Sequence, residues 1–326
     1  MTTPLSRSTA PATAGLALSR TRARRISWRQ RLARDRFLLL LALPGIALLL
    51  LFQYVPLLGN IIAFEDYQPY IGFIDSPWVG LQNFQVIFNG DPAFRTALVN
   101  TIAITLLQVL IVFPAPIGLA LLLDSLLSGR LKALVQSVLY LPHFLSWVIV
   151  IAIFQQILGG AGLINDFLRQ HDLATVSIIG NPRAFLALVT SQVLWKDAGW
   201  ATILFLAALS RIDTTLYEAS AVDGAGRWRQ LWHVTLPGLR SLIVLLLILR
   251  LGNALSVGFE QIVIQQNAFG RDVTEVLDTY VYNNGILAGN WGSSAAVGLV
   301  KGLVGVLLVI GANRLAHRMG EAGLYQ

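Results

Sequence analysis

Long apolar runs alternate with short polar connections along this chain. The first run covers Phe37 to Leu58, and five more lie at about Ala93 to Leu123, Leu134 to Ile157, Ala184 to Leu209, Leu239 to Ile264 and Trp291 to Ala312. Each reaches the roughly 20 residues that a helix needs to cross a hydrocarbon layer. A bilayer core offers no water to unpaired backbone groups, so such runs must be helical. The pattern predicts an all-α, polytopic membrane helical bundle with six transmembrane helices and both ends of the chain on one side. The first run is too long for the apolar part of a secretory signal and lacks a small-x-small cleavage site, so it reads as an uncleaved span. Prolines at 44, 114, 116 and 142 interrupt the runs, and neighbouring helices must then cover the freed carbonyls.

Composition strengthens this reading. The chain is 55% hydrophobic and 13% charged, with mean hydropathy +0.66, which is too apolar for a soluble domain. The net charge of +7 is informative through its placement. Arginines at 20, 22, 24, 25, 29, 31, 34 and 36, the turn with Arg130 and Lys132, the loop with Arg211, Arg227, Arg229 and Arg240, and the end with Arg314 and Arg318 share one face. By the positive-inside bias that face is cytoplasmic, which sets the bundle N-in and C-in. The opposite loops carry Glu65, Asp66, Asp75, Asp91, Asp272, Glu275 and Asp278. Residues 1–36 are expected to be a disordered basic cytoplasmic tail, residues 37–314 the six-helix membrane domain, and residues 315–326 a cytoplasmic tail. No folded basic surface accompanies the arginines, so nucleic acid is not expected as a partner. Pro69, Pro77, Trp78, Phe84 and Phe88 in the first outer loop suit the headgroup layer.

Zero cysteines exclude a disulfide framework and thiolate chemistry, and the four histidines lack the spacing of a helical metal motif. No catalytic residue, metal or cofactor is expected. A phosphate-cradling G-x-x-x-x-G-K-[ST] loop is missing from the sequence as well, so any nucleotide site belongs to another chain.

Two groups of residues invite a function. The first is the polar loop at about 211–238. Asp213 reads as an N-cap, which predicts a short helix from Thr214 to Gly224, where glycine takes the left-handed turn. A second short helix is expected from Arg227 to Thr235, ended by Pro237. Ala219, Ser220 and Ala221 are small enough for another chain to approach closely, and Glu218 and Asp223 offer charged anchors. The second group is polar residues inside the apolar runs. Lys196, Asp197, Arg250, Glu260 and Lys301 would each cost ~2.5–3.5 kcal/mol facing lipid, so they should face the bundle interior or a wet path. Gln192, Trp195, Trp200, Asn253, Ser256 and Gln261 occupy the same runs. Indole faces and amides together suit a sugar, which has an apolar ring face and a rim of hydroxyls. These charges can also simply pair with one another. If the cationic surplus faces the path, an anionic solute is favoured.

The run Glu218-Ala219-Ser220-Ala221-Val222-Asp223-Gly224-Ala225, followed by Leu236-Pro237, closely resembles the EAA loop of permease subunits in binding-protein-dependent ABC importers of the maltose type. Ser220 stands where that pattern has alanine. Further stretches, among them Tyr140-Leu141-Pro142-His143-Phe144 and Trp195-Lys196-Asp197-Ala198-Gly199-Trp200, resemble the subgroup that imports oligosaccharides derived from polysaccharides. The resemblance implies a type I ABC importer permease fold in the bacterial inner membrane. It implies a second permease subunit, two copies of a cytoplasmic ATPase subunit, an extracytoplasmic solute-binding protein and an oligosaccharide, with uronate-containing chains among the candidates. The loop would be the ATPase-coupling helix, with Glu218 as its charged contact. Other solute classes in the same superfamily, and a secondary transporter, are the alternatives. The latter predicts internally repeated broken helices, and no matching halves are evident.

Overall fold

A computed structural model describes residues 36–325 except Leu127 and Ala322. The expected basic tail lies outside the described residues save for Arg36, which opens the first helix. Two units are distinguished, residues 36–58 and residues 59–325. The first is helix α1 (Arg36–Leu49), continued by a π-helical turn at Leu50–Tyr54 and a last turn at Val55–Leu58. None of its side chains is buried within the unit, as suits a helix whose solvent is lipid.

The second unit is helical too. Helix α2 (Pro92–Leu107) starts on the Asp91 cap and passes through a π-helical turn, Gln108–Val112, into α3 (Ala115–Asp124). Then come α4 (Gly129–Tyr140), α5 (Trp147–Leu158), α6 (Leu163–Gln170) and α7 (Phe185–Leu209). The polar loop holds α8 (Thr214–Val222) and α9 (Arg227–Gln230). Last are α10 (Leu236–Gly252), α11 (Phe259–Phe269), α12 (Leu277–Tyr280) and α13 (Trp291–Arg318). Among the described residues five helical stretches are long and apolar enough to cross a membrane, and the bent pair Pro182–Leu209 with Thr214–Val222 brings the number to six. That agrees with the six apolar runs.

Two of the runs are not continuous helices. Leu134 to Ile157 breaks after Tyr140, with a tight 3-10 turn at Leu141–Phe144 before α5 begins, and the stretch long and apolar enough to span lies further on, over Trp147–Gln170. Pro142 has no N–H to donate, and Ser146 then caps α5 by accepting from the Ile149 amide. Leu239 to Ile264 breaks between Gly252 and Phe259, where Gly258 has φ +106°, a region that residues with a Cβ avoid. That span instead begins upstream, as one helical stretch over Arg227–Gly252. Pro237 therefore does not end a second short helix. It lies in the first turn of α10, directly after a π-helical turn at Leu231–Thr235 whose wider ring accommodates the missing donor. Helix α13 runs through the expected boundary at residue 314 to Arg318. The segment after it folds back, the Leu324 amide donating to Asn313 Oδ1 at 2.7 Å and Arg240 pairing with Glu321 at 3.0 Å.

The core that positions the site joins α2, α7 and α11 through Ile104, Phe185, Leu188, Val189, Ile262 and Phe269. A second cluster, Ala120, Phe205, Leu209 and Leu239, fixes the end of α7 against α3 and the start of α10. Helix α7 is thus clamped at both ends.

Candidate functional site

The polar loop is a built element. Asp213 Oδ1 accepts from the Thr215 amide at 2.9 Å, and the bonds from Thr215 hold the Asp213 carboxyl below the usual range. At the other end Gly224 has φ +75°, the Ala225 amide donates to Ser220 O at 2.9 Å, and the Gly224 amide donates to Ala221 O at 3.0 Å. This is a Schellman closure, which needs a left-handed residue at that position. A Cβ on Gly224 would meet nothing within 4 Å, so the demand is for φ rather than for space. Ser220, the departure from the alanine pattern, has a structural use here. Gln230 Nε2 donates to Ser220 Oγ at 3.1 Å and to Tyr217 O at 3.3 Å, and the Tyr217 hydroxyl bonds Thr235 Oγ1 at 3.0 Å, which staples α8 to α9. No residue of α8 is buried. Glu218, Ala219, Ala221, Asp223 and Pro237 are exposed, while Ala225 and Leu236 are half-buried. Val222 and Trp228 stand out beside them at 89% and 74% exposure, an apolar pair next to two unpaired acids.

The second group gathers at the middle of α7, a helix of 25 residues in which Asp197 is the midpoint. Lys196 is buried, and its Nζ donates to the carbonyls of His143 at 2.7 Å and Leu145 at 2.6 Å, in the break between α4 and α5. It also lies 5.6 Å from the centre of the Trp147 ring. On the neighbouring face of α7, Asp197 Oδ1 is 2.9 Å from His143 Nδ1. The His143 ring lies flat on Trp200, and Phe144 meets Trp200 edge-on at 5.5 Å. The His143 and Asp197 side chains remain 33% and 39% exposed, and Trp200 43%.

The other candidates fall into separate places. Gln192 and Gln261 meet Gln265 in a buried knot between α7 and α11: Gln261 Nε2 donates to Gln192 Oε1 at 2.8 Å, and Gln265 Nε2 donates to the same oxygen at 3.1 Å. Trp195 packs edge-on against Phe154. Arg250 donates to Gln108 Oε1 in α2's π turn. Lys301 pairs with Asp278 at one end of a cavity of about 600 Å³ that Ser256, Gly298 and Gly302 also line. Asn253 and Glu260 are exposed and join none of these groups.

The cationic surplus therefore does not face a path as free charge. Lys301 is neutralised by an acid, and Lys196 and Arg250 aim their donors at oxygens of the protein. These cations therefore give no ground of their own for an anionic solute. His143, Phe144, Gln108 and Gln265 escaped the sequence reading of the interior. A histidine beside a proline inside an apolar run was the available signal.

On the face opposite the polar loop, a cavity of about 660 Å³ is lined by Asp91, Arg271, Asp272, Glu275, Tyr280 and Asn283 among others. The Tyr280 hydroxyl donates to Asp91 Oδ2 at 2.9 Å, and burial together with that carboxylate pushes the phenol well above its ordinary range. Nearby, Phe64 stacks on Trp78 at 5.5 Å, so the outer-loop aromatics pack partly on one another.

Three comparisons bear on these features. The profile of the family described as "Binding-protein-dependent transport system inner membrane component" matches residues 112–321. The chain is 45% identical to the polygalacturonan/rhamnogalacturonan transport system permease protein YteP of Bacillus subtilis (strain 168), over 90% of this chain and 92% of that one. It is 44% identical to Protein LplB of the same organism, over 94% and 96%. Among solved structures, a chain of a bacterial alginate ABC transporter in complex with an alginate pentasaccharide-bound periplasmic protein superposes with TM-score 0.82 at 32% identity, covering 91% of this chain and 99% of that one.

Proposed function

Because the chain belongs to the family of binding-protein-dependent transport system inner membrane components, we propose that it is the membrane-spanning permease subunit of an ATP-driven carbohydrate importer. The observation that carries this is the superposition of nearly the whole chain on a permease of the alginate importer. The relative named for polygalacturonan and rhamnogalacturonan transport, with the alginate importer among solved structures, points to acidic oligosaccharides as the solute class. In this reading the chain works with a second permease subunit, two copies of an ATPase subunit and an extracytoplasmic binding protein, and performs no hydrolysis itself.

The loop at 211–238 is the ATPase-coupling element. Its exposed acids and the apolar pair Val222 and Trp228 supply a mixed surface for a groove on the ATPase, and the Schellman closure and the Gln230 staple make it stiff enough to transmit force. Helix α7 leads into it through a bend of 71°. Displacement of α8 is thereby carried to the middle of the membrane, where the span shifts between two openings.

The solute path runs past Trp200, Asp197 and His143. A half-exposed carboxylate and imidazole at the midpoint of a spanning helix would be costly against lipid, so this face meets water, solute or another polypeptide. The exposed indole offers a stacking platform for a sugar ring, and the imidazole and carboxylate offer hydroxyl partners.

The test is reconstitution of the chain with its companion subunits in liposomes. Addition of solute-loaded binding protein should accelerate ATP hydrolysis and drive labelled oligosaccharide inward. Uptake driven by an ion gradient without ATP would overturn the assignment.

A further inference from the structure

The turn between α4 and α5, just ahead of the spanning stretch Trp147–Gln170, leaves the backbone carbonyls of residues 143 and 145 outside both helices, and a carbonyl shielded from solvent needs another donor. Lys196 supplies both bonds. An ammonium has three hydrogens, and here two go to carbonyls while the ring face of Trp147 lies within cation–π reach, so the buried head is turned toward the protein. The side chain is only 8% exposed overall.

The same turn presents His143 to Trp200. Two consecutive residues of α7 therefore grip one residue of the turn before α5, Lys196 by its backbone and Asp197 by its imidazole. Contact between the two elements continues at Gly199, where a Cβ would stand 2.0 Å from Leu139 O, which leaves no room for a side chain between the helices. Helix α7 is also the one that leads into α8.

We infer that Lys196 is a positioning residue for transport: it ties the turn leading into the third span to the helix leading to the coupling loop, so that His143 and Trp200 move as one body when α8 is displaced. Lys196 itself does not touch solute. The inference rests on the importer reading given above and adds to it the element that links the energy input to the solute face.

The experiment uses the assembled importer in liposomes, with loaded binding protein, and compares wild type with Lys196→Met and Lys196→Arg. Uptake of a neutral and of a uronate oligosaccharide is measured with the ATP consumed per molecule imported. Lys196→Met should lower the maximal rate roughly tenfold for both solutes and raise ATP consumed per solute, with Lys196→Arg restoring part of the coupling. A change in the ratio of neutral to uronate uptake at unchanged ATP cost would mean that the ammonium meets solute, and would overturn the inference. Unchanged kinetics in Lys196→Met would overturn it too. Should Lys196→Met fail to insert, Lys196→Gln carries the same comparison, since its amide can donate to one of the two carbonyls; coupling intermediate between wild type and full loss supports the inference and unaltered coupling defeats it. Trp200→Ala separates the two readings. If it leaves uptake untouched, the solute face assigned above is wrong and this inference goes with it. If it impairs uptake while the Lys196 series keeps normal coupling, only this inference fails.

Discussion

The imidazole of His143 and the indole of Trp200 are stacked, 4.7 Å apart between ring centres with their planes 4° from parallel, although 57 positions separate them in the chain. The contact exists because a tight turn at Pro142 separates α4 from α5 and Lys196 and Asp197 hold that turn against α7.

Loss of the platform should be read in the affinity of the transport step. Trp200→Ala removes a stacking surface worth ~1 kcal/mol, so the solute concentration for half-maximal uptake by the assembled importer should rise about fivefold. Trp200→Phe should lose much less. Equal behaviour of the two variants in a concentration series of labelled oligosaccharide would argue against stacking.

Glu218→Lys should leave the chain inserted, because α8 buries nothing within the chain. The reversed charge should weaken attachment of the ATPase, seen as reduced co-purification of that subunit with a tagged permease and a lower ATP hydrolysis rate.

Gly224→Val should be worse than Gly224→Asn. The position has φ +75° and open space around it, so the penalty is one of backbone strain, ~1–2 kcal/mol for a residue forced into the left-handed region and least for asparagine. Hydrogen-exchange protection of the α8 amides would report it, with valine losing the protection that asparagine largely keeps.

Acid should loosen the start of α8. The carboxyl of Asp213 titrates below its ordinary value because it accepts from Thr215, so its capping contribution is present above the unfolded-state pKa of about 3.9 and disappears as pH falls through the lower folded value. Asp213→Asn keeps an acceptor and removes the titration. The protection factor of the Thr215 amide, its exchange relative to the intrinsic rate at each pH, should therefore fall on acidification in wild type and stay flat in the asparagine variant.

Gly199→Ala and Gly118→Ala form a matched pair inside the membrane. A Cβ at 199 would strike the Leu139 backbone at 2.0 Å, whereas at 118 it would meet nothing within 4 Å. The first should cost ~1–3 kcal/mol of stability and the second little. Melting of the detergent-solubilised protein distinguishes them, and equal melting temperatures would contradict the close approach of α7 to α4.

How far the primary structure could be read depended on the range of the interaction involved. The six apolar runs, the Asp213 cap and the left-handed closure at Gly224 were legible because each rests on hydropathy or on backbone preferences spanning a few residues. The interruption at Pro142 was legible from its missing donor, whereas the break before Gly258 was not, because hydropathy does not register a positive φ inside an apolar run. Pro237 was misread for a related reason: a π-helical turn upstream let the helix continue through it.

The sequence by itself determined that this chain crosses a membrane, which loop is rich in arginine, and that a small-residue knob interrupts the apolar pattern. Only tertiary structure decided what the intramembrane charges do. Lys196 and Asp197 are neighbours in the chain but lie on different faces of α7, and they find their partners in a turn some fifty positions away. Hydropathy is additive along a chain, whereas the use of a buried charge depends on which oxygen the fold brings within 3 Å of it, and no local pattern carries that distance.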